Sequence, residues 1–305
     1  MARASELPPY TNATRPLDAA GTALAVLLCF SWGFNQVAVK LALPDIPPLI
    51  QAALRSGGAA VLVWLWARAR NIPLRTDDGT LWPGVVAGLL FGIEFLLIYR
   101  GLLFTTASRA VLFFYTAPFW VVAGARLFLP GDRLRPLQWF GLGLSFAGIA
   151  AAFGWPTPSG NPSEITGDVM IAFGAAAWAA TTLIVKGSAL NRAAPEKTML
   201  YQLVVSFAVL ALGALAFGET MTALPGAVAT GSLLYQTVWV VSVTFVIWFM
   251  LVVRYSASRL SAFTFLTPLF GVAAGHLVMG DPITPAFAAA VALVVAGLIL
   301  VNRPG

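Results

Sequence analysis

The chain has 305 residues, 59% of them hydrophobic and 10% charged, with a formal net charge of +6; an average soluble domain carries about 25% charged residues. So few charges cannot coat a water-soluble body of this size, so the composition reads as an integral membrane protein. The basic residues lie between apolar runs rather than on one face, which argues against nucleic acid and fits contact with anionic membrane lipids on the cytoplasmic side.

In chain order, residues 1–18 read as a short cytoplasmic tail. The apolar run that follows is too long for a signal-peptide core. Ten stretches are long enough to cross a bilayer as helices: 19–41, 47–69, 81–104, 107–128, 135–154, 166–187, 197–217, 228–252, 257–279 and 283–301. Turn chemistry separates them, at Pro44, Pro47 and Pro48, at Thr76 to Gly79, at Pro130-Gly131-Asp132, from Trp155 to Pro162, from Asn191 to Pro195, and at Gly280-Asp281-Pro282. The fold class predicted is all-α, with ten transmembrane helices and no soluble domain. Fourteen of the 18 Lys and Arg residues fall on the face shared with the N-terminus. Three (Lys40, Arg100 and Arg109) fall on the other, and Arg55 lies within a span. The bias places both termini in the cytoplasm.

The stretch Ala107–Phe119 (ASRAVLFFYTAPF) returns as Ala257–Leu269 (ASRLSAFTFLTPL), 150 residues later. Trp32 and Lys40 return as Trp178 and Lys186, Phe95 as Phe245, and Gly131-Asp132 as Gly280-Asp281. The first five spans therefore correspond to the last five. An odd number of spans per half forces the halves into opposite orientations, which explains why Arg109 and its twin Arg259 fall on opposite sides. The domains expected are a repeat over 19–154, a periplasmic linker over 155–165 and a second repeat over 166–302. Inverted repeats are the architecture of secondary transporters, with the substrate near the midplane where the halves meet.

The candidate site residues follow from polar or aromatic side chains placed deep in spans. Trp32, Asn35 or Gln36, and Val39 share one face of the first span. Two amides in hydrocarbon are costly without a partner or water, so they either bind a solute's carboxylate or amino group or join helices. Phe95 and Tyr99 continue a row from Phe91 in the third span, with Glu94 beside them. Glu94 either binds an ammonium group or carries a proton, or it pairs with Arg55 or Arg100. Tyr115 precedes Pro118 as Thr267 precedes Pro268, and both prolines are kink or gate candidates because each leaves a carbonyl unpaired. Trp178 and Thr181 form the twin of the first-span face, so that a tryptophan from each half could sandwich a flat or apolar group. His276 is a candidate titrating group facing the periplasm. The glycines Gly84, Gly88 and Gly92, the pair Gly141 and Ser145, and the alanines Ala288, Ala292 and Ala296 read as close-packing faces.

Trp32-Gly33-Phe34, the Ala107-to-Ala110 entry, the mid-span prolines and the Gly-Asp turns resemble the drug/metabolite transporter superfamily, EamA family. Asp132 and Asp281 stand where that family commonly has Glu. Within it the chain resembles YddG-type exporters of aromatic and other amino acids. The resemblance implies export of amino acids or other small zwitterions from cytoplasm to periplasm across a bacterial inner membrane, by alternating access through a central cavity. Export of other metabolites or cationic drugs, or a channel-like facilitator, are the alternatives. The expected partners are a small-molecule substrate and membrane lipids, in a monomer or homodimer. No cofactor or metal is expected: one cysteine, Cys29, and one histidine rule out a disulfide within the chain and nearly exclude a Cys/His metal centre. Other classes lack their motifs. There is no Walker motif and no second histidine for a zincin, and Leu129, Ile165 and Val278 stand where an intramembrane aspartyl protease needs glycine.

Overall fold

The computed structural model describes residues 17–75, 77–155 and 162–303. The expected N-terminal tail up to residue 16, Thr76 and most of the 155–165 linker lie outside the described residues. Among the described residues ten helical stretches are long and apolar enough to cross a membrane. Seven are single helices: α1 (Ala19–Ala42), α2 (Pro48–Ala69), α3 (Leu81–Gly101), α6 (Pro136–Phe153), α7 (Pro162–Gly187), α8 (Pro195–Ala216) and α13 (Pro285–Asn302). The fourth span is broken into α4 (Ala107–Phe114) and α5 (Ala117–Phe128). The eighth runs α9 (Ala227–Leu234), a π-helical segment (Tyr235–Thr244) and α10 (Phe245–Arg254). The ninth runs α11 (Ala257–Ala262), a 3₁₀ turn (Phe263–Phe265) and α12 (Leu266–Met279).

Most helices start where their chemistry says they should. Proline occupies the first turn of α2, α5, α6, α8 and α13, where its missing N–H costs nothing. Asp18 caps α1 by accepting from the Gly21 N–H at 2.7 Å. Two boundaries differ from expectation by three residues or more. α3 stops at Gly101 rather than 104, because residues 102–105 turn back onto the carbonyls of 98–101. α7 begins at Pro162 rather than 166, with Glu164 in its first turn, where a carboxylate meets the positive end of the helix dipole.

The first and last described residues, Leu17 and Arg303, lie on one face of the bundle. There Tyr255 donates to Asp18 at 2.8 Å, Gln138 donates to the Val301 carbonyl at 3.0 Å, and Lys197 pairs with Asp78 at 2.6 Å. Partial burial opposes ionisation of Asp78, but the hydrogen bonds from Lys197 and Thr80 outweigh it and draw the carboxyl down to about 2. The Gly21 N–H and the Tyr255 hydroxyl hold Asp18 below the usual carboxylate range. On the far face Glu219 accepts from the Leu49 and Ile50 N–H groups at 2.9 and 3.1 Å, and Asp45 from the Gly226 N–H at 2.8 Å.

The two halves interlock. α1 packs along α12, α5 along α7, α3 along both α7 and α8, α2 along α8, and α6 along α13. Between membrane helices this attraction comes from close contact rather than from water exclusion, so small residues mark the seams. A Cβ on Gly84 or Gly88 would meet Tyr201 or Val205 of α8 at 2.4 or 2.6 Å. On α6 and α13 the seam is Gly141, Ser145 and Gly148 against Ala290, Val294 and Gly297. Ala288, Ala292 and Ala296, expected as the packing face of the tenth span, point outward and are exposed. The buried face instead carries Ala290, Val294 and Gly297, where Gly297 meets the Gly141 carbonyl of α6.

Candidate functional site

An aromatic column runs through the centre of the bundle. Trp178 lies 5.6 Å from Trp248, and Trp248 lies 5.2 Å from Trp32. Trp32 continues to Phe245 at 5.4 Å, Phe245 to Phe91 at 5.5 Å, Phe91 to Phe95 at 5.1 Å, and Phe95 to Tyr99 at 6.2 Å. Four of the expected residues (Trp32, Phe95, Tyr99 and Trp178) therefore share one wall. Phe91, Phe245 and Trp248 join it. The expected sandwich of a solute between Trp32 and Trp178 is not open. Trp248, only 1% exposed, occupies that slot between the two rings.

The π-helical segment explains how the eighth span presents its polar atoms. One extra residue per turn widens the helix and shifts its register. It places Tyr235 against the Ser31 carbonyl at 3.0 Å, Trp239 against the Ser31 hydroxyl at 3.0 Å, and Thr244 under the Trp32 indole N–H at 2.8 Å. Trp239 thus donates to a hydroxyl within the first span.

Two buried charges lie beside the column. Arg55 and Glu94 are 3% and 2% exposed. The Arg55 guanidinium lies over the Phe95 ring, 4.1 Å from its centroid. Arg55 is the cation whose field acts on Glu94, yet among the described residues no salt bridge joins them, and Arg55 Nε and Glu94 Oε2 have no hydrogen-bond partner. Arg100, the other expected partner, lies over Phe217 at 4.0 Å. Gln51, one turn before Arg55, and Gln202 and Gln236 are fully buried with side-chain atoms left unpaired, as is Asn35 Oδ1. Charges and amides in that condition inside a membrane protein signal a polar ligand or water more often than packing.

A second cluster surrounds Tyr115, in the break before Pro118. Its hydroxyl faces Gln36 and Thr267, and its ring lies 6.3 Å from Phe265. Gln36 is exposed and lies over Gly271 of α12. Both expected proline breaks are present. Thr116 covers the Phe113 carbonyl at 2.6 Å, and Cys29 covers the Phe263 carbonyl at 3.1 Å. Thr181 is buried and donates to the Ala177 carbonyl of its own helix at 3.0 Å, which makes it a poor solute ligand in this conformation. His276 is exposed at the far face, with Nδ1 2.7 Å from the Asp281 carbonyl. It stands apart from Glu94 and the aromatic column.

Comparison with known proteins places this arrangement. The model of the EamA-like transporter family matches residues 19–154 and again 165–303. The chain belongs to the EamA-like transporter family. As a member it is a multi-pass membrane transporter, and its relatives agree. It is 30% identical to an uncharacterised transporter, YvbV, of Bacillus subtilis, over 92% of each chain. It is 24% identical to an inner-membrane transporter of Escherichia coli K12, YedA, over 89% of this chain and 87% of that one. A protein of Salmonella typhimurium described as a probable amino-acid metabolite efflux pump is 26% identical, over 91% and 93%. A solved crystal structure shares the fold at a TM-score of 0.78 and 22% identity, over 92% of this chain and 97% of that one. In this EamA-like transporter the Arg55–Glu94 pair had no signal in the repeat pattern. Arg55 has Gln202 at the corresponding place in α8, and Glu94 has Thr244. Only the charge of a lone span residue pointed to either.

Proposed function

We propose that this EamA-like transporter carries small zwitterionic metabolites, foremost amino acids, out of the cytoplasm across a bacterial inner membrane by alternating access, with both termini cytoplasmic. The observation that carries the substrate class is the Arg55–Glu94 pair: two buried, opposite charges beside an aromatic wall that do not close on each other. A solute bringing a carboxylate to Arg55 and an ammonium to Glu94 would supply both missing partners, and its side chain would lie against Phe95, Tyr99 and Trp32. Asn35, Gln51 and Gln202 offer further hydrogen bonds to its polar end. Pro118 and Pro268 serve as the bends about which the fourth and ninth spans move. The name of the Salmonella relative supports the same class.

The test is uptake of radiolabelled amino acids into sealed proteoliposomes, with and without an imposed pH gradient. Arg55→Gln and Glu94→Gln should each cut zwitterion flux at least about tenfold, since each leaves one buried charge without its complement. Deaminated acids and decarboxylated amines should compete weakly against the wild type. Full competition by both, or wild-type flux in both variants, would overturn the assignment.

A further inference from the structure

The two Gly-Asp turns are twins in sequence and opposites in structure. At the face holding the chain ends, Asp132 is 2% exposed. It accepts from the Ser256 hydroxyl at 2.7 Å and from the Ala257 and Ser258 N–H groups at 2.7 and 3.4 Å. A loop of the first half thereby grips the start of the ninth span, in the second half. Beside it Lys186, 4% exposed, donates to the Val252 carbonyl at 2.8 Å and to the Tyr255 carbonyl.

Every one of these residues has a counterpart on the far face. Asp281 corresponds to Asp132, Lys40 to Lys186, and Thr106, Ala107 and Ser108 to Ser256, Ala257 and Ser258. There the same groups stand open. Lys40 and Asp281 are 59% and 53% exposed and 4.0 Å apart. Thr106, Ala107 and Ser108 are exposed, whereas Ser256, Ala257 and Ser258 are buried. Thr106 already caps its own helix through the Arg109 N–H, as Ser256 does through the Arg259 N–H. On the far side the groups equivalent to Ser256, Ala257 and Ser258 are thus exposed and Asp281 is not docked on them, while the neighbouring Arg109 and Thr105 hold a different carboxylate, Asp168.

Other contacts close both faces: Arg109 and Thr105 bind Asp168 on the far one, and Tyr255, the twin of Thr105, binds Asp18 on the near one. Gly21 packs on Tyr255 at one face, and its twin Gly167 packs on Thr105 at the other. The ends of the neighbouring spans are closed on both sides, so the asymmetry belongs to the Asp and Lys groups and the span entries they meet.

We propose that Asp132–Lys186 and Asp281–Lys40 are reciprocal latches. The structure is the state sealed at the face of the chain ends. In the opposite state Asp281 accepts from the Thr106 hydroxyl and the Ala107 and Ser108 N–H groups, Lys40 donates to the carbonyls of Leu102 and Thr105, and Asp132 releases Ser256. Each aspartate has one receptor, at its own face, so opening one face and closing the other exchanges equivalent hydrogen bonds. Two states of nearly equal energy are what a carrier needs to cycle.

The inference rests on the carrier reading for its purpose but not for its test, which needs no solute. In a Cys29→Ala background, purified in detergent, Ser108→Cys and Ser258→Cys report each latch through maleimide labelling. Without further change Cys at 108 should react fast and Cys at 258 slowly. Asp132→Asn should speed labelling at 258 and slow it at 108, each by about tenfold, the equilibrium weight of one charge-assisted hydrogen bond. Adding Asp281→Asn should restore fast labelling at 108. Asp281→Asn alone should leave the melting temperature unchanged, because that carboxylate is exposed in the sealed state. If Asp132→Asn leaves position 108 as reactive as before, or slows it to the same extent whether or not Asp281 is present, the latches are not reciprocal and the inference fails.

Discussion

At the level of single side chains, Trp248 fills the slot that the repeat predicts for a bound group between Trp32 and Trp178. It has no tryptophan twin, since Ile98 occupies the corresponding position in α3, so duplication gave no reason to single it out. Its ring touches both outer indoles while being 1% exposed, so Trp248→Ala should leave a cavity that its neighbours cannot refill. The expected cost is about 3–5 kcal/mol, read as a lower melting temperature in detergent, whereas Trp248→Phe should recover most of it. A melting temperature unchanged in Trp248→Ala would mean the column is not a packed core. Glu94 and Arg55 were legible as lone charges within spans. Which group answered which was not, because a guanidinium on a long stem can reach several rings, and only the three-dimensional packing decided for Phe95.

At the level of elements, span positions follow from hydrophobic length, and breaks in the fourth and ninth spans follow from Pro118 and Pro268. The π-helical segment of the eighth span follows from neither. Nothing in Tyr235–Thr244 marks an extra residue per turn. The register is held by tertiary bonds from Ser31 and Trp32, which a single span cannot foresee. The tenth span shows the other limit. In water, apolar and polar faces tell a helix which way to turn; in lipid both faces are apolar, so small-residue spacing alone could not separate Ala288, Ala292 and Ala296 from the seam at Gly297. Gly297→Leu should therefore disrupt the α6–α13 pair, because a Cβ there would lie 2.4 Å from the Gly141 carbonyl. Ala292→Leu, on the lipid side, should change stability by less than about 0.5 kcal/mol. Thermal unfolding of the two variants in the same detergent compares them directly, and equal losses would refute the seam.

At the level of the whole molecule, each half supplies walls to the other. α1 leans on α12, α5 on α7, and α6 on α13, so neither five-span half can bury its own seams. Residues 1–158 expressed alone should be unstable and degraded, while co-expression with 159–305 should restore a complex that co-purifies through a tag on one half. A stable, monodisperse first half would contradict the interlocked arrangement.

Ten spans, their inversion and the family resemblance were determined by the sequence alone, because hydrophobic length, loop charge and a duplicated motif are local or periodic properties of a chain. Which copy of the repeated motif is buried was decided only by the tertiary structure. Ala107-Ser108-Arg109 and Ala257-Ser258-Arg259 begin with the same residues and have the same local preferences, so nothing local can make one exposed and the other buried. The difference lies in where Asp132 and Asp281 reach, and that is set by contacts between residues far apart in the chain.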